Sequence, residues 1–386
     1  MMETQSTGAG GFADFDLSRV PSPCFVVDEI ALERNLKILQ SLSQNAGVEV
    51  LLALKAFSMW SLAPLINQYL AGTCASGLWE ARLARAHYGG KLASFAPAFR
   101  PQEIDEIAAL SDHLVFNSVA QIERFSAAAK AGGADIGLRL NPQHSEGEIE
   151  KYDPCAAGSR LGQPLTQLAD APLTGVSGFH MHTLCEQGFE PLARTVAALQ
   201  PFLQQRKGQF SWLNFGGGHL VTRPGYDIDG LSQLLRQTSQ NYGVQTYLEL
   251  GTSVAFDAGI LVGEVLDVVE NDGPIAVLDI SATCHMPDVI EAPYRPALMG
   301  ESGDGTSVKL GGPSCLAGDV IGDYQFAQVP QAGDRLAFLD QAHYSMVKTS
   351  TFNGIGLPSI AIWNSQTDAL RMVRQFDYTD FEGRLS

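Results

Sequence analysis

The sequence predicts an α/β protein in which a closed, TIM-like (β/α)8 barrel is joined to a mostly β domain. Eight short β-rich runs alternate with amphipathic runs up to residue 254, and strand-like runs separated by Gly, Pro and Asp turns follow. Alternating strands and helices indicate a parallel sheet, and eight such units indicate a closed barrel. An open doubly wound sheet is the main alternative, but it requires a GxGxxG turn after the first strand, and none is present.

The predicted barrel covers residues 30–254, and the predicted β domain combines residues 1–29 with residues 255–386. A strand in the N-terminal segment precedes a helix that Asp28 caps. The predicted barrel strands are 48–57, 72–76, 91–96, 113–117, 135–142, 174–182, 211–218 and 246–251. The clearest helical runs between them are 78–88, 118–131 and 189–205. The strand-like runs of the β domain are 259–271, 275–281, 334–340 and 359–363.

Length and charge limit the classes of function. The chain has 386 residues, enough for one large domain and a smaller one. Its net charge of −17 argues against binding to nucleic acid or to an anionic membrane surface, because both require basic surfaces. No run approaches about 20 apolar residues, so no membrane span is predicted. The six cysteines are dispersed, which predicts reduced thiols and no metal site. The N-terminus has no basic leader, and together with the reduced thiols this predicts a cytoplasmic location.

Lys55 follows five apolar residues, Val50 to Leu54, at the end of the first predicted barrel strand. Barrel enzymes place their active sites at the C-terminal ends of the strands. A lysine that is desolvated there has a lowered pKa, which suits Schiff-base chemistry. A strand-end lysine whose ammonium group reaches water is the structural alternative.

The triple glycine Gly216–Gly218 ends the seventh predicted strand. Loops after strands seven and eight of a barrel commonly bind phosphate, and glycine lets backbone N–H groups approach an anion closely. This position favours phosphate binding, although a tight turn without a ligand uses the same residues.

Glu249 ends the eighth predicted strand inside the apolar run TYLEL. A carboxylate there can pair with a pyridinium nitrogen and keep it protonated, which makes the ring a strong electron acceptor. A salt-bridged core glutamate is the alternative. Because strands one, seven and eight adjoin in a closed barrel, we expect Lys55, the glycine run and Glu249 to lie together.

Three further residues are candidates whose structural interpretation also stays open. His182 could lie flat against a cofactor ring, and Arg139, near the end of the fifth strand, could order the surrounding hydrogen bonds. Cys315 lies in the Gly- and Pro-rich loop GGPSCLAGD and could return a proton to a carbanion. Taken singly, each is more often a core or rim residue without a catalytic role, and for Cys315 this is an ordinary buried thiol.

With these residues assembled, the chain resembles the fold-type III pyridoxal-phosphate decarboxylases, whose barrel is of the alanine racemase type. Within them it is most similar to the carboxynorspermidine (carboxyspermidine) decarboxylases of bacterial polyamine synthesis. The matching passages are PSPCFVVDE (21–29), LALKAFS (52–58), SRLG (159–162), GFHMHTLCEQ (178–187), LNFGGGH (213–219), DISATCHMPDVIEAPYRP (279–296), GGPSCLAGDVIGDY (311–324) and AHYSMVKTSTFNGI (342–355). They cover nearly the whole chain, and the HTLCEQ, CHMPDV and CLAGD segments are more specific than the lysine and glycines.

The resemblance implies a cofactor, pyridoxal 5'-phosphate, and a role for each candidate. Lys55 would be the Schiff-base lysine, and His182 would stack on the cofactor ring. Gly216, Gly217 and Gly218 would hold the phosphate together with the Tyr344 hydroxyl. Glu249 would pair with the pyridine nitrogen, and the resemblance also places Arg139 and Gly251 among the cofactor-binding residues.

The resemblance also implies a homodimer with shared active sites, in which Cys315 reaches in from the neighbouring subunit. Asp288 would meet a substrate amine. One position departs from the family pattern: a second Glu usually stands where this chain has Thr252. That Glu would help to hold a cationic amine, so its replacement affects the substrate rather than the cofactor.

The implied reaction is decarboxylation of carboxynorspermidine or carboxyspermidine to norspermidine or spermidine, with Lys55, Cys315, His182 and Glu249 as catalytic residues. Diaminopimelate or another basic amino-acid decarboxylase is the alternative enzyme. It would carry Glu after the cysteine and Arg at 252, where this chain has Leu316 and Thr252. A pyridoxal-phosphate-binding protein that has lost catalysis is the alternative from another class.

Overall fold

The computed structural model describes residues 6–147, 149–168 and 171–386. The chain forms two compact units, one made of Met1–Arg34 with Ala255–Ser386 and the other of Asn35–Val254. No helix in the described ranges is long and apolar enough to cross a membrane.

Unit Asn35–Val254 is built on a closed barrel of eight parallel strands. These are β2 (Val48–Ala53), β3 (Gly72–Ala75), β4 (Lys91–Phe95), β5 (His113–Phe116), β6 (Asp135–Asn141), β8 (Gly178–His180), β9 (Trp212–Asn214) and β10 (Gln245–Leu250). The strand order is β5-β4-β3-β2-β10-β9-β8-β6, and pairing of β5 with β6 closes the ring. A two-residue strand, β7 (Gln163–Pro164), pairs with β6 outside the ring.

Helices lie between most of these strands. Their bounds are α1 (Glu29–Ala46), α2 (Ala63–Ile66), α3 (Leu78–His87), α4 (Ile104–Leu110), α5 (Val119–Gly132), α6 (Phe189–Gln205), α7 (Ile228–Tyr242) and α8 (Thr252–Ala255). Local sequence sets where they begin and end. The Ser118 hydroxyl accepts a hydrogen bond from the Gln121 N–H at the start of α5, and Gly133 ends it with a φ of 84°.

Trp212 fills the barrel interior among buried side chains from β2, β4, β5 and β10. Two glycines on neighbouring strands make room for its ring. A Cβ atom at Gly178 would lie 1.9 Å from the indole, and one at Gly137 would lie 2.5 Å from it. The barrel is therefore a packed core below the strand ends, and any ligand site must lie at its rim.

The unit of Met1–Arg34 with Ala255–Ser386 is mostly β-sheet. Its strands are β1 (Cys24–Asp28), β11 (Gly259–Glu270), β12 (Pro274–Leu278), β13 (Thr306–Gly311), β14 (Val320–Phe326), β15 (Arg335–Leu339), β16 (Ser359–Asn364) and β17 (Ala369–Arg374). The sheet order is β14-β13-β12-β11-β1-β16-β17, with β15 paired to β11. Three short helices complete it: α9 (Ala282–His285), α10 (Asp288–Glu291) and α11 (Tyr378–Glu382).

The predicted fold class is confirmed, since the chain has a closed eight-stranded parallel barrel and a separate mixed sheet. The N-terminal strand β1 lies in the sheet, between β11 and β16. The predicted strand at 174–182 is shorter, because only Gly178–His180 pairs with both neighbours. Its last two residues belong to a loop at the barrel rim.

Candidate active site at the barrel rim

The candidate residues of the barrel unit converge at the C-terminal ends of adjacent strands. In the barrel, β2 pairs with β10, β10 with β9, β9 with β8, and β8 with β6. Lys55 follows β2, Glu249 lies in β10, the glycine run follows β9 and His182 follows β8. The predicted convergence of lysine, glycines and carboxylate therefore exists in the structure.

Lys55 lies in a turn two residues beyond Ala53, the last residue of β2. The N–H groups of Ala56 and Phe57 both donate to the Ala53 carbonyl, at 3.0 and 3.2 Å. This turn lifts the Lys55 side chain out of the apolar strand, so it is exposed rather than enclosed. The run of apolar residues predicted enclosure, but the strand ends at Ala53, and the Lys55 side chain is exposed between the buried residues Leu54 and Ala56.

Glu249 is 8% exposed, and each of its carboxylate oxygens has a partner inside the barrel. Oε2 lies 3.1 Å from His180 Nε2, and Oε1 accepts a hydrogen bond of 2.8 Å from Asn214 Nδ2. Burial alone would raise the pKa of Glu249. The contacts with His180 and Asn214 and the charge of Lys55 outweigh burial, so the pKa lies below its usual value and the carboxylate is ionised.

His180 and Asn214 are site residues that the sequence analysis missed. Both are buried, and their Cα atoms are paired across β8 and β9. A signal for them exists in the sequence, because side chains two residues apart on a strand share a face. His180 precedes the candidate His182 by two residues, and Asn214 precedes Gly216 by two.

His182 is partly buried and held by the backbone around it. Its Nδ1 accepts a hydrogen bond of 3.0 Å from the Gly217 N–H, which leaves Nε2 as the protonated nitrogen. Burial lowers the pKa of His182 well below its ordinary value, and the positive charges of Lys55 and Arg139 lower it further. The ring is therefore neutral and fixed in orientation.

Arg139 is buried in β6, next to β8 in the barrel. Its Nη2 donates to the His182 carbonyl at 2.9 Å, and its guanidinium lies 4.5 Å from the centre of the Phe95 ring. Burial lowers the pKa of Arg139 to about 10, which leaves it cationic at neutral pH. Its position suits the ordering role that the sequence suggested.

The loop Gly216–Gly218 packs closely against its neighbours. Cβ atoms at Gly216, Gly217 and Gly218 would lie 2.3, 2.1 and 2.1 Å from the carbonyl oxygens of Met181, Glu249 and Leu184. Two of its N–H groups are already used, since Gly216 donates to Asn214 Oδ1 and Gly217 to His182. The Gly218 N–H has no acceptor among the described residues, so it is the N–H of this run that remains for an anion.

These residues fit the groups of pyridoxal phosphate. The amine of Lys55 matches the aldehyde of the cofactor, and the buried carboxylate of Glu249 matches its ring nitrogen. The flat, neutral ring of His182 matches the face of the cofactor ring. The Gly218 N–H, which has no acceptor among the described residues, suits a close phosphate. Gly251 lies against the same turn as Lys55, because its Cβ would be 2.4 Å from the Ala56 Cβ.

The sheet unit carries the other predicted residues. Cys315 is exposed, and its N–H donates to Asn353 Oδ1 at 2.8 Å. Its loop is held by Asp319, a buried residue that the sequence analysis also missed. Asp319 accepts hydrogen bonds from the Ser281 hydroxyl at 2.9 and 3.1 Å and from the Ser314 N–H at 3.3 Å. The thiol therefore stands on a fixed loop at the surface of this unit.

Asp288 is partly buried at the start of α10 and already has a cationic partner. Lys348 Nζ lies 2.6 Å from Asp288 Oδ1 and 2.7 Å from Glu291 Oε2. One ammonium between two carboxylates leaves a net charge of −1 in this cluster. Tyr344, in the same unit, is partly buried with a φ of 47°.

Comparisons with known proteins match this architecture. Residues 24–342 match the family described as "Pyridoxal-dependent decarboxylase, C-terminal sheet domain". A carboxyaminopropylagmatine decarboxylase from Synechocystis sp. is 41% identical, with 96% of each chain covered. A carboxynorspermidine/carboxyspermidine decarboxylase from Campylobacter jejuni is 38% identical, with 95% of this chain and 99% of that protein covered.

A solved structure, carboxynorspermidine decarboxylase complexed with norspermidine from Campylobacter jejuni, has a TM-score of 0.87 at 36% identity. The superposition covers 95% of this chain and 100% of the Campylobacter chain. These matches confirm the resemblance that the sequence motifs indicated. The chain belongs to the pyridoxal-dependent decarboxylase family.

Proposed function

We propose that this chain decarboxylates a carboxylated polyamine, carboxynorspermidine or carboxyspermidine, to the corresponding triamine in polyamine synthesis. The observation that carries this proposal is the near full-length similarity to a decarboxylase whose structure contains norspermidine. A cytoplasmic location accompanies it, supported by six cysteines that are all free thiols.

Pyridoxal phosphate, when bound, supplies a ring that accepts the electron pair left when CO2 departs. Lys55 would hold its aldehyde group, and Gly218 and Tyr344 its phosphate. Glu249 is ionised and would keep the ring nitrogen protonated. His182 is neutral and would cover one face of the ring without adding charge.

The proton that replaces CO2 on the substrate carbon is assigned to the Cys315 thiol. We propose that the site is completed by a homodimer in which Cys315 comes from the partner subunit. Two features of the sheet unit support an interface there: Leu316 is 44% exposed beside Cys315, and Phe352 is 49% exposed beside Asn353, which holds the Cys315 N–H. Exposed apolar side chains around a functional loop are typical of interfaces.

The function is tested by measuring CO2 release from the purified, cofactor-loaded protein. The substrates are carboxynorspermidine, carboxyspermidine, carboxyaminopropylagmatine, meso-diaminopimelate and ornithine. The proposal requires the highest kcat/KM with one of the two carboxylated triamines. A preference for meso-diaminopimelate or ornithine would contradict it, and absence of CO2 release from every substrate would favour a non-catalytic cofactor-binding protein.

A second candidate substrate is carboxyaminopropylagmatine, which the Synechocystis relative decarboxylates according to its name. Thr252 supports this second substrate, because its position is close to the candidate active site. Thr252 is 9% exposed and follows Gly251, which lies against the turn that carries Lys55. An uncharged, short side chain leaves room for a longer tail ending in a guanidinium group. Guanidinium is less strongly hydrated than ammonium and binds a carboxylate in two-point geometry.

Replacing Thr252 with Glu is expected to separate the two candidates. If the native substrate is a carboxylated triamine, the added carboxylate should lower KM for it. If the native substrate ends in guanidinium, the wild type should already prefer it to the triamines, and the larger side chain of T252E should raise KM for it and reverse that preference. The measurement is the ratio of kcat/KM for the two substrates in wild type and T252E. An unchanged ratio would show that position 252 does not contact the tail, and Thr252→Ser is the control for loss of threonine.

Asp288→Asn is expected to lower kcat/KM for carboxylated triamines by about 30-fold or more, because breaking one side of a carboxylate–ammonium contact costs ~2–5 kcal/mol. Cofactor binding should not change. Glu291→Gln is the matched control, since it also removes one partner of Lys348 but at a more exposed position. Equal, small effects of the two substitutions would show that the cluster only holds Lys348.

A further inference from the structure

His180, Asn214 and Glu249, from three adjacent strands, form a buried hydrogen-bonded group. In the barrel register, Asn214 is opposite His180 on one side and opposite Tyr247 on the other. Glu249 lies two residues beyond Tyr247 and therefore points to the same face. His180 is 1% exposed and Asn214 is 0% exposed, so neither contact competes with bulk water.

The hydrogen bonds fix the protonation state of His180. An ionised carboxylate only accepts hydrogen bonds, so the nitrogen that faces Glu249, Nε2, must carry a hydrogen. The other nitrogen, Nδ1, is buried and has no partner among the residues that the structure describes. A second proton there would be a buried donor without an acceptor, which is costly. His180 is therefore a neutral donor.

The surrounding charges agree with this assignment. Burial lowers the pKa of His180, and Arg139 and Lys55 lower it further, against the opposing effect of Glu249. Cys74 is a further titratable neighbour of Glu249, and burial followed by the negative charge of Glu249 raises its pKa well above the usual value. The thiol and the imidazole thus both stay neutral, and Glu249 carries the negative charge.

Packing fixes the plane of the His180 ring. It lies nearly parallel to Phe95, with 5.5 Å between the ring centres and 15° between the planes. The guanidinium of Arg139 lies 4.5 Å from the centre of the same Phe95 ring. The imidazole therefore cannot rotate freely, and its Nε2–H direction determines where one carboxylate oxygen of Glu249 lies.

We infer that His180 is a positioning residue that, as a neutral donor, orients the Glu249 carboxylate and keeps it ionised for the cofactor ring nitrogen. Asn214 fixes the other oxygen in the same way. A neutral donor suits this role, because a cationic histidine would cancel the negative charge that the ring nitrogen requires. The inference rests on the function proposed for Glu249.

Two substitutions separate hydrogen bonding from packing. His180→Phe keeps an aromatic ring against Phe95 but removes the donor. His180→Gln keeps an N–H donor on a side chain of similar reach but removes the ring. If His180 acts as a donor, kcat should fall about 10- to 100-fold in H180F with KM changed little, and H180Q should retain more activity. If the ring only fills space, the order should be reversed, and the inference falls.

His113→Phe is the matched control. His113 is also a buried histidine, stacked on Trp212 with 4.4 Å between centres and 1° between planes, but it begins β5 at the opposite end of the barrel. H113F should keep wild-type kcat. A comparable loss of kcat in H113F would show that disturbed packing also explains the loss in H180F, and this would contradict the inference.

The tautomer gives a readout that does not depend on activity. In the full-length protein, cofactor-free and cofactor-loaded, the nitrogen-15 side-chain spectrum should show, besides the signal of His182, a neutral-histidine Nε2–H signal that is absent in H180F. A His180 that is doubly protonated at neutral pH, or protonated at Nδ1 alone, would overturn the inference. If Glu249→Gln has normal turnover, the function proposed for Glu249 fails; if that variant is impaired and H180F is not, only the inference about His180 fails.

Discussion

Replacing Lys55 with alanine is expected to abolish covalent attachment of pyridoxal phosphate and to lower turnover by about three orders of magnitude or more. Lys55 is the lysine at the rim whose charge acts on Glu249, His180 and His182 together. Borohydride reduction of the loaded protein followed by peptide mapping should place the pyridoxyl group on the peptide that contains Lys55. In Lys55→Ala the same treatment should leave no labelled peptide.

Lys207→Ala is the control for this experiment, because Lys207 is an exposed lysine beyond the end of α6. It should keep both the label on Lys55 and wild-type turnover. Labelling of a different lysine in the wild-type protein would contradict the assignment of Lys55. A Lys55→Ala variant with normal turnover would contradict the proposed mechanism as well.

Replacing Glu249 with glutamine is expected to leave the cofactor bound but to lower kcat by about two to four orders of magnitude. A neutral amide cannot keep the ring nitrogen protonated, so the ring accepts electrons less strongly. The amide also offers one acceptor oxygen where His180 and Asn214 each donate a hydrogen bond. One of these two buried donors would lose its acceptor.

The measurement for Glu249→Gln is kcat together with the absorbance of the bound cofactor. Glu49→Gln is the matched control, since Glu49 lies in β2, six residues before Lys55, and pairs with Lys91. It should change kcat little. A Glu249→Gln variant that keeps the cofactor and turns over at the wild-type rate would show that another group protonates the ring nitrogen.

Much of the architecture could be predicted because the barrel strands are short and mostly apolar, and most of them are followed by a helix. The strands of the sheet unit were harder to predict from the sequence. Strand β17 has the sequence ALRMVR with mostly exposed residues, so it lacks the alternation that indicates a strand. It lies at the edge of the sheet, where pairing with β16 holds it without a buried apolar face.

The candidate site was predictable where strand order alone brings residues together. Lys55, Glu249 and the glycine run follow adjacent strands, and the structure places them at one rim. The hydrogen bonds of Glu249 could not be predicted, because they depend on the stagger between β8, β9 and β10. The pairing of Asp288 with Lys348 spans 60 residues and depends on the folded loops of the sheet unit.

The proposed substrate class can be tested in a single competition reaction. Equal concentrations of carboxynorspermidine, carboxyspermidine, carboxyaminopropylagmatine and meso-diaminopimelate are mixed with the cofactor-loaded protein, and the initial products are quantified by mass spectrometry. Ratios of initial rates then equal ratios of kcat/KM weighted by concentration. We expect norspermidine or spermidine to form first. Formation of lysine, or of the product of carboxyaminopropylagmatine, ahead of both triamines would contradict the proposed substrate.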